Sequence, residues 1–253
     1  NFADGSSVPS TQYAWGILNR ISCERNYESL DGQTAGTRFE QVTKDFVRDA
    51  FSYLRHIRPG EFEYSVNTEI ARFAQYEHLN YISRAFKNDA ILASAFGGDY
   101  VVRPDIVVGK RPMSDALINE LGILTDSANE HAMYTTLRDT NSSYQILHAI
   151  ISCKWTIRTD RAQNTRTEVL NLIRNRKGHL PHIVAITAEP WPARIAALAL
   201  GTGDLDCVYH FALPELVDAV NQTGNEDAIE SLQIMINGKR LRDISDLPFD
   251  LAI

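Results

Sequence analysis

The sequence predicts an α/β domain in which a mixed central β-sheet is flanked by α-helices. Apolar stretches rich in β-branched residues predict strands at 148–156 and 183–187. Between them, Asp160 can cap a helix that Gly178 and Pro181 end. A strand, a helix and a strand in succession form a βαβ unit, so part of the sheet is expected to be parallel.

The chain before this unit is predicted to be mainly helical. Residues 1–36 form an N-terminal arm that is mostly irregular, apart from a short helix near 12–21. The polar stretch 31–36 predicts a loop. From Thr37 onward apolar residues recur at helical spacing, which predicts a long amphipathic helix ending at 58–60, Arg-Pro-Gly.

The remaining patterns alternate between helices and strands. Helical spacing continues over 70–87, a strand is expected at 100–109, and a helix is expected after the polar stretch 110–130. The later elements are a helix at 193–200, a strand at 207–211, and helices at 214–221 and 227–236. Because no repeat or linker interrupts these patterns, residues 1–253 are predicted to form a single domain.

The composition is that of a globular protein, with 44% hydrophobic and 23% charged residues among 253. No apolar run reaches roughly eighteen residues, so no membrane-spanning helix and no membrane partner are expected. The polar N-terminus resembles no signal peptide, and because it lacks Met we expect the gene product to begin before Asn1. Three widely spaced cysteines, Cys23, Cys153 and Cys207, argue against a disulfide framework or zinc site and favour the cytoplasm.

Charge is distributed unevenly along the chain. The net charge of −7 by itself disfavours a nucleic-acid partner. Residues 154–177, however, contain seven Lys or Arg and two acids, a local charge of +5 that leaves −12 elsewhere. One basic stripe on an acidic protein suits phosphate binding at a single place. The alternative is a solvated helix whose Arg174, Arg176 and Lys177 interact favourably with the helix dipole.

Two predicted strands carry groups that metal-dependent phosphodiester hydrolysis requires. Such hydrolysis needs carboxylates that hold the ion and a group that orients or polarises the attacking water. Pro104-Asp105 lies in one strand and Ser152-Cys153-Lys154 in the other, where Ser152 and Lys154 share a face. If the strands pair, Asp105 and Lys154 meet at one edge of the sheet. Taken alone the pattern is weak, because a Pro-Asp pair and a distant Lys occur in many proteins.

Two glutamates add possible carboxylates. Glu168 follows Arg161 by seven residues, or two helical turns, so both side chains project from one helix face. Glu40 lies at the beginning of the long helix, where it is either a partner of the helix dipole or a member of the site. Each glutamate taken alone also has a purely structural interpretation.

The residues Arg158-Thr159-Asp160-Arg161, here called the recognition segment, begin four residues after Lys154. The planar arginine side chains match O6 and N7 of guanine, and an aspartate can accept a hydrogen bond from N4 of cytosine. Base recognition and hydrolysis are therefore predicted to lie close together in the chain.

Several stretches closely resemble the NgoMIV family of type II restriction endonucleases. They are residues 154–164, 174–178, 180–184, 187–190 and 243–248, and the resemblance extends from about residue 31 to the C-terminus. This family belongs to the PD-(D/E)xK nucleases, in the branch that recognises CCGG cores. The resemblance implies a restriction-endonuclease-like fold and the activity of a type II site-specific deoxyribonuclease.

The resemblance also implies an active site that binds two Mg²⁺ ions. Asp105 would be the principal metal ligand, with the main-chain carbonyl of Cys153 beside it and Lys154 near the attacking water. Ser152 occupies the position where most of the superfamily has an acid, and in this branch a helix supplies that carboxylate. Glu168 matches this carboxylate on the helix, and Glu40 matches an additional acid near the N-terminus.

For DNA binding, the resemblance assigns Arg158, Asp160 and Arg161 to the inner CCGG. Gln33 and Arg194 match positions that contact the outer G·C pair, which implies the double-stranded site GCCGGC. A palindrome requires two-fold symmetry, so a homo-oligomer of at least two subunits is expected, and the family implies a tetramer. The expected location is the bacterial cytoplasm.

Two other functions remain open from the sequence. A regulator could recognise a GC-rich palindrome without cutting it, but carboxylates near phosphate would then only repel the DNA. A repair nuclease of the same superfamily is a further alternative, which the recognition segment disfavours.

Overall fold

The computed structural model describes residues 3–22, 24, 30–88, 91, 94, 102–126, 131–157, 159–201 and 203–253. At 86–88 and 159–162 it describes the backbone only. In these ranges no helix is long and apolar enough to cross a membrane.

Helices and strands alternate along most of the chain. The α-helices are α1 (Val8–Leu18), α2 (Gly32–Tyr53), α3 (His78–Asn88), α4 (Asp115–Ile118), α5 (Thr159–Asn175), α6 (Pro192–Ala199), α7 (Leu213–Thr223), α8 (Glu226–Asn237) and α9 (Leu247–Asp250). Short 3₁₀ helices lie at Ile70–Arg72 and Ile244–Asp246. The strands are β1 (Phe62–Val66), β2 (Ile106–Lys110), β3 (Ile146–Lys154), β4 (His182–Thr187), β5 (Cys207–His210) and β6 (Leu241–Asp243).

The strands form one sheet in the order β1-β2-β3-β4-β5-β6. β1 and β2 are antiparallel, with Phe62 opposite Lys110. β4 and β5 are parallel, with Val184 opposite Cys207, and β5 and β6 are also parallel. The sheet is therefore mixed and accompanied by helices, which confirms the predicted fold class.

The chain divides into two compact units. The first comprises Asn1–Leu54, Ile151–Leu170 and Ile183–Ile253, and the second comprises Arg55–Ile150 and Asn171–His182.

In the first unit, α1 packs against α7 and α6 packs against α8. Tyr13 and Ile17 of α1 are almost completely buried. A Cβ atom on Gly16 would lie 2.5 Å from the Cβ of Ala219, so the close approach of these two helices requires glycine at this position.

In the second unit, the side chain of Gln75 satisfies the backbone of β3. Its Nε2 donates to the carbonyl of Leu147 at 2.8 Å, and its Oε1 accepts from the Leu147 N–H at 2.9 Å. The Tyr76 hydroxyl donates to the carbonyl of Leu172 at 3.1 Å. These buried polar groups are paired, as the low solvation of a protein interior requires.

The N-terminal arm is more helical than predicted. The first helix lies at Val8–Leu18 rather than near 12–21, because Ser7 caps it and Pro9 occupies its first turn. The second begins at Gly32 instead of Thr37. There the Asp31 carboxylate accepts from the N–H groups of Gln33 and Thr34, so residues 31–36 are a helix start rather than a loop.

The helix expected over 70–87 is also wrong in its first half. The only helical structure in residues 70–77 is the 3₁₀ turn at Ile70–Arg72, and α3 begins at His78. Phe73 forms a bridge with Gln145, and the Ala74 N–H donates to the Gln145 carbonyl at 2.9 Å. Tertiary pairing with a distant segment therefore overrides the local helical pattern.

The helix expected between residue 130 and β3 is absent from the described residues 131–145. Arg138, whose side chain is 4% exposed, organises this stretch instead. Its guanidinium donates to both carboxylate oxygens of Asp115 and to the carbonyls of His131 and Ala132. A partly buried, charge-assisted network thus holds a loop where the sequence suggests a helix.

Candidate active site

The predicted catalytic strand is β3, which ends at Lys154, a residue of the first unit. Ser152 and Lys154 are half-buried and Cys153 between them is buried, which matches the expected alternation of side chains. The carbonyl of Lys154 accepts from the Thr187 hydroxyl at 2.8 Å and from the Ala188 N–H at 3.3 Å. The end of β4 therefore fixes the backbone that carries the predicted lysine.

Glu40 lies near this strand end, because the residue before it contacts the residue after Lys154. The ring of Phe39 packs on the ring of Trp155, with centroids 5.2 Å apart. Phe39 precedes Glu40 on α2, and Trp155 follows Lys154. The structure thus brings the backbone segments carrying Glu40 and Lys154 together within the first unit.

Asp105 lies in the second unit, directly before β2, and is half-buried. Its main-chain carbonyl accepts from the Asn67 N–H at 3.2 Å, which fixes the backbone at the start of the strand. Glu168 lies on the exposed face of α5 in the first unit.

Glu189 was not singled out by its own chemistry in the sequence, yet it organises the region after β4. It is completely buried, and its Oε2 accepts from the Ile157 N–H at 2.8 Å. Its Oε1 accepts from the Trp191 N–H at 3.1 Å. Burial raises the pKa of the Glu189 carboxyl, although the two N–H donors act in the opposite direction. A Glu-Pro pair after a strand carries no local signal for these contacts.

Arg194, a predicted outer-base contact, lies beside Glu189. Its Nη1 is 3.9 Å from Oε2 of Glu189, and its guanidinium lies 5.0 Å from the ring centre of Trp191. Its Nη2 donates to the Asp4 carboxylate at 2.6 Å. Hydrogen bonds from Ser6 and Arg194 lower the pKa of Asp4 well below its usual range. Arg194 is therefore held from two sides, by Asp4 and by Glu189.

The other predicted DNA contacts are only partly described. Gln33 is exposed in the first turn of α2. Arg158 lies outside the described residues, and so do the side chains of Asp160 and Arg161. Since α5 begins at Thr159, Asp160 lies inside the helix and is not its cap.

The predicted metal ligands are all oxygen donors, namely carboxylates and a main-chain carbonyl. Within the described ranges, no three His, Cys, Asp or Glu side chains are arranged to hold an ion. Oxygen donors nevertheless suit Mg²⁺, which proteins commonly bind through one or two carboxylates together with substrate phosphates. The donor chemistry fits Mg²⁺, although the described part of the chain shows no preformed cage of three side chains.

Comparison with known proteins defines the class as type II restriction endonucleases. The family model for the NgoMIV restriction enzyme matches residues 1–253. The type II restriction enzyme NgoMIV of Neisseria gonorrhoeae is 50% identical over 256 residues, which cover 99% of this chain and 89% of that protein.

The chain belongs to the NgoMIV restriction enzyme family. This confirms the predicted resemblance and the predicted enzyme class, a site-specific deoxyribonuclease. Enzymes of this type generally require divalent metal ions.

Two solved structures of restriction endonucleases show a weaker likeness. The pre-specific BsaWI–DNA complex matches with a TM-score of 0.37 and 12% identity, covering 87% of this chain and 62% of that one. The PspGI–substrate DNA complex matches with a TM-score of 0.28 and 12% identity, covering 98% and 95%.

Proposed function

We propose that this restriction endonuclease cleaves double-stranded DNA at the palindrome GCCGGC in a Mg²⁺-dependent reaction. The observation that carries the proposal is 50% identity to the Neisseria gonorrhoeae enzyme over 99% of the chain. The stretch 154–164, which contains both Lys154 and the recognition segment, supports the more specific assignment of a CCGG core. We place the enzyme in the bacterial cytoplasm.

In the proposed site, Asp105, Glu40 and Glu168 supply carboxylates, and Cys153 supplies its main-chain carbonyl. These groups would hold two Mg²⁺ ions, which lower the pKa of bound water and polarise the phosphate when present. Ser152 stands where an acid is common in the superfamily, so Glu168 and Glu40 provide the missing charge.

Lys154 orients the attacking water and stabilises negative charge on the scissile phosphate. Its ammonium group is a compact point charge suited to that role. The contacts from Thr187 and Ala188 to its carbonyl hold its backbone in place. Such pre-positioning contributes to catalysis because it avoids reorganisation during the reaction.

Sequence selectivity comes from two groups of side chains. Arg158, Asp160 and Arg161 contact the CCGG core, while Gln33 and Arg194 contact the outer G·C pair. Each bidentate base contact contributes about 1–3 kcal/mol of discrimination. Several of them in each half-site therefore provide the selectivity that a restriction enzyme needs.

The palindromic site requires that two copies of the chain act together. Equivalent half-sites are related by a two-fold axis, so the active species is at least a homodimer. By family resemblance we extend this to a tetramer that cuts two sites.

Plasmid cleavage tests this proposal. A plasmid with two GCCGGC sites is incubated with the enzyme and Mg²⁺, and the ends are mapped by sequencing. We expect two fragments, each cut after the first G with four-base 5′ overhangs, and no cleavage when EDTA is present. Specific binding without cleavage would identify a regulator, and structure-dependent nicking would identify a repair nuclease. Either result would overturn the proposal.

A further inference from the structure

Glu189 is a buried carboxylate that the proposed hydrolysis does not use. Its side chain is 1% exposed, although glutamate is rarely buried completely unless it is paired. Removing such a group from water is costly, and the hydrogen bonds that it accepts must offset the loss of solvation. The nature of its partners therefore indicates what the residue does.

One partner, Ile157, directly precedes the recognition segment in the sequence. The Ile157 N–H donates to Oε2 of Glu189 at 2.8 Å, and Ile157 immediately precedes Arg158. Ile157 is 1% exposed, so its amide has no access to solvent as a substitute partner. The backbone position of Ile157, the residue before the recognition segment, thus depends on this carboxylate.

The same residue also lies beside Arg194, the proposed outer-base contact, and is linked through its backbone to the catalytic strand. Its Oε2 lies 3.9 Å from Nη1 of Arg194, and its own N–H donates to the Thr187 hydroxyl at 3.0 Å. That hydroxyl in turn donates to the carbonyl of Lys154. One buried residue therefore connects Lys154, the start of the recognition segment and Arg194.

A carboxylate suits this place better than any other side chain of its size. Both of its oxygens face N–H donors, from Ile157 and Trp191, and an arginine lies beside them. A carboxylate offers only acceptors, whereas glutamine would direct an NH₂ group at one of the donors. Glu189→Gln therefore removes one connection while it preserves the size of the side chain.

We propose that Glu189 is a positioning residue that sets DNA selectivity by holding the recognition segment and Arg194 in a fixed place relative to Lys154. This inference rests on the proposed function. It predicts that substitution of Glu189 relaxes selectivity for both the core and the outer base pair.

The test compares single-turnover cleavage of three oligonucleotide duplexes that contain GCCGGC, ACCGGT or GCTAGC. The second changes the outer pair and the third changes the core. For Glu189→Gln we expect the ratio of GCCGGC cleavage to cleavage of each altered site to fall by about tenfold or more, the effect of losing one bidentate contact. Because each ratio is measured on one preparation, the fraction of folded enzyme cancels.

Asp206→Asn is the matched control. Asp206 also accepts a backbone N–H, that of Ile183 at 2.8 Å, but at the opposite end of β4. This variant is expected to be less stable and equally selective. If Glu189→Gln does not fold, Glu189→Asp is used, which keeps the charge but shortens the side chain.

Three outcomes separate this inference from the proposed function. Wild-type enzyme that cleaves GCCGGC selectively, with Glu189 variants that are equally selective, overturns the inference alone. Equal slowing of cleavage at all three duplexes also overturns it, because the role of Glu189 would then be structural only. Wild-type enzyme that cuts none of the duplexes overturns the proposed function itself.

Discussion

Replacing Thr187 with valine is expected to weaken both folding and cleavage. The substitution keeps the shape of the side chain but removes a completely buried hydroxyl. That hydroxyl donates to the Lys154 carbonyl at 2.8 Å and accepts from the Glu189 N–H at 3.0 Å. The Lys154 carbonyl retains the Ala188 N–H at 3.3 Å, whereas the Glu189 N–H loses this acceptor inside the protein.

These contacts give the size of the effect. A buried N–H left without an acceptor costs about 1–3 kcal/mol, and the lost hydrogen bond to Lys154 adds about 1 kcal/mol. We therefore expect the free energy of unfolding to fall by about 2–4 kcal/mol. The single-turnover rate should fall as well, because the carbonyl of Lys154 loses the Thr187 hydroxyl as a donor.

Urea unfolding gives the change in stability, and single-turnover cleavage of a GCCGGC duplex gives the change in rate. Thr223→Val is the control, because the Thr223 hydroxyl donates to the Val220 carbonyl at 2.7 Å near the end of α7. It should destabilise slightly and leave the rate unchanged. Wild-type stability together with a wild-type rate in Thr187→Val would refute the reasoning.

Three further substitutions test the proposed site. Asp105→Asn should abolish Mg²⁺-dependent cleavage in a plasmid assay and preserve specific binding in a gel-shift assay; continued cleavage would exclude Asp105 from the site. Arg158→Ala should lose its preference for the CCGG core in competition binding, and unchanged preference would contradict direct contact with the bases. Arg174→Ala should weaken binding to all sequences alike and reduce the slope of log K against log salt by about 1; a loss confined to one sequence would contradict a phosphate contact.

The sequence predicted the strongly patterned part of the fold. Two strands and the helix between them were recognised at 148–187, because continuous β-branched stretches and a helix with clear breakers are local signals. β1 was missed although Phe62, Tyr64 and Val66 alternate with polar residues, which is a strand pattern. β6 has only three residues and offered too short a pattern. Pairing with neighbours, rather than propensity, defines such strands.

The candidate site was predictable only where residue type reveals chemistry. Lys154 at a strand end and an Arg-Thr-Asp-Arg segment next to it suggested a phosphate and a base partner without any structure. Glu189 could not be found in this way. The Ile157 N–H and the Arg194 guanidinium are brought to Glu189 only by folding, and a buried glutamate looks no different in sequence from an exposed one.

The short connection between Lys154 and the recognition segment explains why its anchoring matters. Three residues, 155–157, separate Lys154 from Arg158. From Lys154 to Ile157 they span at most about 11 Å when extended. The two ends of this connection are anchored at the end of β4, Lys154 by Thr187, the last residue of that strand, and Ile157 by Glu189, whose N–H donates to the Thr187 hydroxyl. A shift of these anchors would therefore move the hydrolytic lysine and the base contacts together. A segment displaced by a wrong base would also displace the lysine. A misplacement of about 1 Å at a reacting group can reduce the rate about 100-fold. Mismatched DNA should therefore be disfavoured both in binding and in cleavage.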